Sequence, residues 1–170
     1  MNKLNDLTIA LPIYSRPKNL IDHLESLKKI NIYDFNIIIG DNGQNNFNIN
    51  YFKENFPNLN IKYFQHEKNI GHISNFIFLL YKCKTKYFIW VADDDLYESN
   101  FFLRLYEVIT KNKNTVSVMS NYKINRNGKI TKIFLSSGFY LTDIFYILNP
   151  FPFIKNIKNY LKIFIYGIHN

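Results

Sequence analysis

The chain has 170 residues, enough for one domain with its own core and too few for two ordinary ones. Its apolar fraction of 47% and aromatic fraction of 18% exclude a disordered chain, and its single cysteine, Cys83, excludes an internal disulfide and a cysteine-based metal site. The net charge of +8 suits phosphate groups, anionic lipid or nucleic acid.

One cysteine fits a reducing, cytoplasmic compartment. The apolar run of "MNKLNDLTIALPIY" is too short for a signal peptide and is broken by Pro12, and no stretch reaches the roughly 18 apolar residues of a membrane span. Heavy use of Asn, Lys, Ile, Tyr and Phe, whose codons are AT-rich, points to a low-GC bacterial genome.

In chain order, "LTIALPIY" (Leu7 to Tyr14) reads as a buried strand. An amphipathic helix follows, with Ser15 as its expected N-cap, Pro17 in its first turn and Leu20, Ile21, Leu24 and Leu27 on one face. "FNIII" (Phe35 to Ile39) is a second strand that stops at the turn signal "GDNG". Residues 44 to 58 read as an Asn-rich loop with a short helix near Tyr51 to Asn55, and "IKYF" (Ile61 to Phe64) as a third strand. "GHISNFIFLLYKC" reads as a helix, "KYFIWVA" as the fourth core strand, and "SNFFLRLYEVITKN" as a helix capped by Ser99 or Asn100. "TVSVMSNYKIN" and "KITKIF" read as strands joined by a turn at Arg126 to Gly128. This alternation predicts an α/β layered domain on a mostly parallel sheet, with the ligand site beyond the carboxyl ends of the strands. There the sequence places "PIYSRP", "GDNG" and "ADDD".

Asp93, Asp94 and Asp95 stand together directly after an apolar strand. Two unit charges ~5 Å apart at an effective dielectric of ~20 repel by roughly 3 kcal/mol. One of the three could cap the next helix, but a triplet calls for a cation. Mg²⁺ or Mn²⁺ takes carboxylate, phosphate and water oxygens, and would neutralise the acids while gripping a diphosphate.

The order strand–"PIYSRP", strand–"GDNG", "KNIGHISN", strand–"DDD" resembles the family 2 glycosyltransferases over roughly residues 7 to 125. The resemblance implies a GT-A fold, a Rossmann-like three-layer α/β sandwich with a mostly parallel central sheet. It implies transfer of a sugar from a UDP- or GDP-sugar donor to a glycan or lipid-linked acceptor, with inversion and with Mn²⁺ or Mg²⁺ as cofactor. Such activity belongs to the assembly of bacterial surface polysaccharide or lipooligosaccharide. On the matching positions, Pro12, Tyr14 and Arg16 lie beside the nucleotide, Asp41 recognises its base or ribose, and Asn69 and Gly71 border the donor site. Asp93 and Asp95 match the D-x-D pair that holds metal and diphosphate, with Asp94 between them at the donor. Aligned instead on "LYESNF", Ala92 falls on the first acid and Asp94 and Asp95 form the pair.

Each match has a plainer alternative. Asp41 in "DNG" suits any turn, Arg16 a solvated helix start, and Asn69 and Gly71 a helix-entry turn. His72, Phe88, Trp90 and Cys83 read as structural. An inverting transferase also needs a general base, and after Glu107 the only acid is Asp143. Asp143 lies in an apolar run, where burial would raise its pKa, and is either that base or a helix-start carboxylate. The acceptor half looks C-terminally shortened, which keeps open a second reading, a GT-A remnant that binds nucleotide and transfers nothing.

The expected organisation is a nucleotide-sugar-binding and catalytic domain over residues 1–140 and a basic amphipathic tail over 141–170. In the tail Ile154, Ile157, Leu161, Phe164 and Ile165 recur at helical spacing opposite Lys155, Lys158 and Lys162. Such a helix could lie on the inner membrane as a peripheral contact, pack on the sheet, or expose an apolar face that dimerises. A nucleic-acid-binding module is disfavoured, because the basic residues are scattered and no RNP1-like run is present. A nucleotidyltransferase is disfavoured because no Gly-rich phosphate loop follows the first strand. The oligomeric state stays open.

Overall fold

The computed structural model describes residues 4–30, 34–111, 118, 120, 122–126 and 129–133. Strands and helices alternate as β1 (Leu7–Ile13), α1 (Pro17–Lys29), β2 (Asn36–Asp41), α2 (Ile49–Asn55), β3 (Asn60–Gln65), α3 (His72–Lys82), β4 (Tyr87–Trp90) and α4 (Phe101–Lys111). A hairpin of β5 (Tyr122–Arg126) and β6 (Lys129–Ile133) follows, paired antiparallel from Tyr122↔Ile133 to Arg126↔Lys129. Asp143 and the whole of the expected tail, with Lys155, Lys158 and Lys162, lie outside the described residues, as does the expected boundary at 140.

β1 to β4 form a parallel sheet in the order β3-β2-β1-β4. Both faces of β1 and β2 are covered, which is why these strands read as continuous apolar runs rather than alternating ones. Leu7, Ile9, Leu11 and Ile13 of β1, Ile37 and Ile39 of β2 and Ile89 of β4 point to one face. There they pack against Leu20, Leu24 and Leu27 of α1, Phe52 of α2 and Phe102, Leu105 and Ile109 of α4. Ala10, Ile38 and Phe88 point to the other face, where Leu79 of α3 and Cys83 cover them. The result is the three-layer α/β sandwich expected from the sequence.

Two helix starts differ from the expected ones. The N-cap of α1 is Arg16, with no side-chain capping bond, and not Ser15. The Arg16 guanidinium carries only N–H donors and so cannot accept from a helix amide; it reaches across to Asp93 instead, while Pro17, with no amide proton and a fixed φ, suits the first helical position. α2 begins at Ile49, because the Asn48 side chain accepts a hydrogen bond from the Tyr51 amide at 2.9 Å.

The strand order places the site. The chain runs outward from β1 to β2 to β3, then α3 carries it back across the sheet so that β4 pairs with the other side of β1. Connections leave β1 in opposite directions on its two sides, so a crevice opens between the carboxyl ends of β1 and β4. α3 seats closely against β2: the Asn75 Nδ2 donates to the Gly40 carbonyl oxygen at 2.8 Å, and a Cβ at Gly40 would lie 3.1 Å from the Leu79 Cγ and against the Asn75 Oδ1. Gly40→Ala should therefore cost about 1–3 kcal/mol of stability by overpacking. Urea unfolding reads this directly, and an unchanged midpoint would show that α3 is not held at this distance.

Candidate functional site

β4 ends in a turn over Ala92 to Asp95, closed by the Asp95 amide donating to the Ala92 carbonyl at 3.4 Å, with Asp93 and Asp94 at its centre. From the end of β1, Arg16 reaches across the crevice. Its guanidinium donates to the Asp93 Oδ1 at 2.8 Å and to the Asp94 Oδ2 at 3.0 Å. The repulsion that the sequence raised is thus answered, in this structure, by an arginine fork bridging two of the three acids. Asp93 is only 4% exposed, and its Oδ2 is buried with no hydrogen-bond partner. Burial pushes its pKa up and Arg16 opposes the shift. Asp95 is tied down differently. Its Oδ2 accepts the Tyr97 hydroxyl at 3.2 Å, and its main-chain oxygen lies 3.1 Å from the Nδ1 of His23 on α1.

The second loop is built around Asp41, which is fully buried. Its Oδ1 accepts from the Gly43 amide and the Asn45 side chain, both at 2.8 Å, and its Oδ2 from the Asn45 amide at 2.9 Å and from the Tyr63 hydroxyl. Burial and that bond to Asp41 push the Tyr63 phenol up. Asp41 therefore folds its own loop and presents no free carboxylate at the surface. Gly43 is required here, since a Cβ would come within 2.6 Å of the Ser15 amide nitrogen. That close approach sets the "GDNG" loop directly against Tyr14 and Ser15.

Asn42 joins this loop to the next. Its Nδ2 donates to the Asn69 Oδ1 at 2.8 Å and its Oδ1 accepts from the Ile70 amide at 2.7 Å. Asn69 Oδ1 also accepts from the Gly71 amide at 2.8 Å, and Gly71 enters α3 at φ 88°, in the left-handed region. Asn69 and Gly71 thus belong to one hydrogen-bonded wall with Asn42, behind which His66 bonds Asn75 at 3.0 Å.

The other expected residues sit around this edge. Pro12 lies on β1 opposite Gly40, and Tyr14 is 54% exposed just beyond the strand. His72 is exposed and stacks on Phe76 at 4.5 Å. Phe88 and Cys83 are buried under α3, and the Trp90 Nε1 donates to the Phe76 carbonyl oxygen at 3.2 Å. Asn42, His23 and Tyr97 are members of the site that sequence reasoning missed. For His23 a signal existed, a polar residue on the apolar face of α1; for Asn42 there was none.

Among the described residues, no group of three or more His, Cys, Asp and Glu side chains is arranged to hold a metal ion, and no helix is long and apolar enough to cross a membrane. The acid turn still fits a hard divalent cation, which commonly takes one or two carboxylates and completes its shell with substrate phosphates and water. Asp93, with an unpartnered buried oxygen, and Asp95 are the residues that could hold one.

The model of "Glycosyl transferase family 2" matches residues 8–168. No curated protein matches the chain. Among solved structures, Staphylococcus aureus TarS 1-349 aligns at 19% identity and TM-score 0.60 over 72% of this chain and 37% of that one. The same protein in complex with UDP aligns with TM-score 0.61, again over 72% and 37%. The mannosyltransferase PcManGT from Pyrobaculum calidifontis, in complex with GDP-Man and Mn²⁺, aligns at 14% identity and TM-score 0.61 over 72% and 37%. The chain thus spans 37% of the length of these structures and shares their GT-A fold.

His23 also contributes to how the fold responds to acid. Burial lowers its pKa to about 4, against the raising effects of the bond to Asp95 and the Asp94 charge. The folded chain keeps His23 neutral where an unfolded histidine is already protonated. Its contribution is therefore full above pH 6.5 and drains away as pH falls towards 4, by up to about 3 kcal/mol. Asp93 shifts in the opposite sense and is present in wild type and variant alike. Urea unfolding of the metal-free protein should lose stability between pH 6.5 and 4.5 more steeply than the His23→Leu variant does. Parallel profiles would refute the assignment.

Proposed function

Because the chain belongs to glycosyl transferase family 2, we propose that it is a metal-dependent transferase that moves a sugar from a nucleoside-diphosphate donor to a glycan or lipid-linked acceptor. The observation that carries this reading is the Asp93 carboxylate: buried, held through one oxygen by Arg16, and with its other oxygen unpartnered at the switch point of the sheet. The complexes of similar structures with UDP, UDP-GlcNAc, and GDP-Man with Mn²⁺ support a nucleotide sugar as the ligand class.

Asp93 and Asp95 are the proposed metal residues, and the unpartnered Asp93 oxygen favours this register over Asp94 with Asp95. A divalent cation there would draw charge from the departing nucleoside diphosphate. Arg16 and Asp94 share the same edge, and the Arg16 guanidinium is within the crevice to meet phosphate oxygens. Pro12 and the half-exposed Tyr14 border the nucleotide from β1. The wall of Asn42, Asn69 and Gly71 borders it from the far side, and Asp41 keeps that wall in shape. Inversion, a role for Asp143 as general base and the assembly of bacterial surface polysaccharide are further parts of the proposal, carried by the family pattern. A cytoplasmic site with a peripheral inner-membrane contact through residues 141–170 rests on the single cysteine and the basic apolar pattern of that segment.

Calorimetric titration with UDP and GDP, with Mn²⁺ and then with EDTA, tests the donor half. Binding should require the metal, and Asp93→Asn should weaken it at least tenfold, about 1.4 kcal/mol. Metal-independent binding, or full binding by Asp93→Asn, would refute the site. The second reading, a domain that binds nucleotide without transferring, is separated by donor turnover: binding with no consumption of UDP- or GDP-sugar would select it.

A further inference from the structure

Resting on the reading of Asp95 as part of the donor's metal site, we propose that His23 and Tyr97 are positioning residues that fix Asp95, His23 through its main-chain oxygen and Tyr97 through its carboxylate. The segment from Ala92 to Asn100 carries no strand or helix, and Leu96, directly after Asp95, is 86% exposed. Packing therefore does not hold the chain at Leu96. Both anchoring contacts are made to Asp95, directly before it. The His23 Nδ1 meets the Asp95 carbonyl oxygen at 3.1 Å, and the Tyr97 hydroxyl meets the Asp95 Oδ2 at 3.2 Å.

The chemistry assigns direction to both contacts. A carbonyl oxygen only accepts, so the His23 Nδ1 carries the proton and donates it. A carboxylate only accepts, so the Tyr97 hydroxyl donates. The anchors also brace each other: the two rings meet edge to face with centroids 5.7 Å apart, and Tyr97 packs on Phe101 and Phe102 at 4.8 and 5.1 Å. Asp95 is thereby tied to α1 through His23 and, through Tyr97 of its own loop, to the first residues of α4.

The histidine is an odd choice on packing grounds alone. It occupies a 2% exposed position between Leu20, Leu24 and Leu27, and its Nε2 is buried without a partner. Leucine would leave no unsatisfied nitrogen there. What leucine could not supply is the N–H that the Asp95 carbonyl receives.

Ligand-supporting hydrogen bonds of this kind are commonly worth 10–100-fold in metal affinity. The test is the Mn²⁺ concentration that half-saturates UDP and GDP binding, measured by calorimetry at pH 7.5 for wild type, His23→Leu, His23→Asn and Tyr97→Phe. Urea midpoints are taken alongside. His23→Leu should raise the Mn²⁺ requirement about tenfold or more. His23→Asn, whose amide places an N–H close to where Nδ1 stood, should restore it to within about threefold of wild type. Tyr97→Phe should raise the requirement in the same direction while leaving the urea midpoint near wild type.

An Mn²⁺ requirement unchanged within twofold in His23→Leu would overturn the proposal, as would equal losses in His23→Leu and His23→Asn. If the His23 variants do not fold, Tyr97→Phe alone decides, and an unchanged requirement there overturns the proposal. Wild-type protein that binds neither nucleotide with Mn²⁺ would remove the donor site itself and the proposal with it. That outcome is distinct from nucleotide binding that is indifferent to His23 and Tyr97.

Discussion

Three adjacent aspartates at the end of a buried strand are an electrostatic liability, and the bridge from Arg16 to Asp93 and Asp94 is what makes the β4 end tolerable. The contact to Asp94 spans 78 residues of sequence yet links neighbours in space, because β1 and β4 pair directly. It also explains the entry to α1. Arg16 stands at the N-cap position, where its donor-only guanidinium cannot cap a helix amide, and its side chain spans the crevice instead, while Pro17 suits the first helical position. Strand order, helix entry and the charge balance of the acid turn are thus one arrangement.

The two polar loops at this edge are built on opposite principles. Around Asp41 every carboxylate oxygen is engaged within the protein, so the loop is preorganised and electrostatically closed. Asn42 then extends that order to Asn69 and Gly71. Around Asp93 one oxygen is left without a partner in a place where desolvation is costly. Buried polar atoms are rarely left so, and the exception falls at the crevice where ligands bind in sheets of this topology. One loop is thus saturated within the protein, and the other keeps a buried carboxylate oxygen unsatisfied.

Most of the fold was legible because the sheet is buried on both faces. "LTIALPI", "NIII" and "YFIW" admit few readings other than core strands, and Leu20, Leu24 and Leu27 mark the buried side of α1. The ends of elements were less legible. Asn48 caps α2 in a stretch crowded with asparagines, and nothing local sets it apart from its neighbours. In the candidate site, Arg16 and the aspartates were legible as charges, but their pairing was not: the sequence suggested a metal ion to offset the acids, and the fold supplies a guanidinium for two of them. Asp41 was legible as a polar residue at a strand end, yet its saturation depends on Asn45 and on Tyr63 from the next strand. Side-chain hydrogen bonds across such separations leave no periodic trace.

His23 shows the same blind spot on a buried helix face. On α1 it occupies a position that the apolar pattern assigns to the core, and in the structure it is buried there among leucines. Periodicity places a residue on a face but is silent about what the atom at its tip must do. Here one ring nitrogen faces the Asp95 carbonyl and the other faces no partner at all. A buried imidazole with an unsatisfied nitrogen destabilises the helix position it occupies, so the other nitrogen's bond is the feature that distinguishes it from a leucine. Consistency between local pattern and fold breaks at this position, and it breaks beneath the acid turn, where the unpartnered Asp93 oxygen also lies.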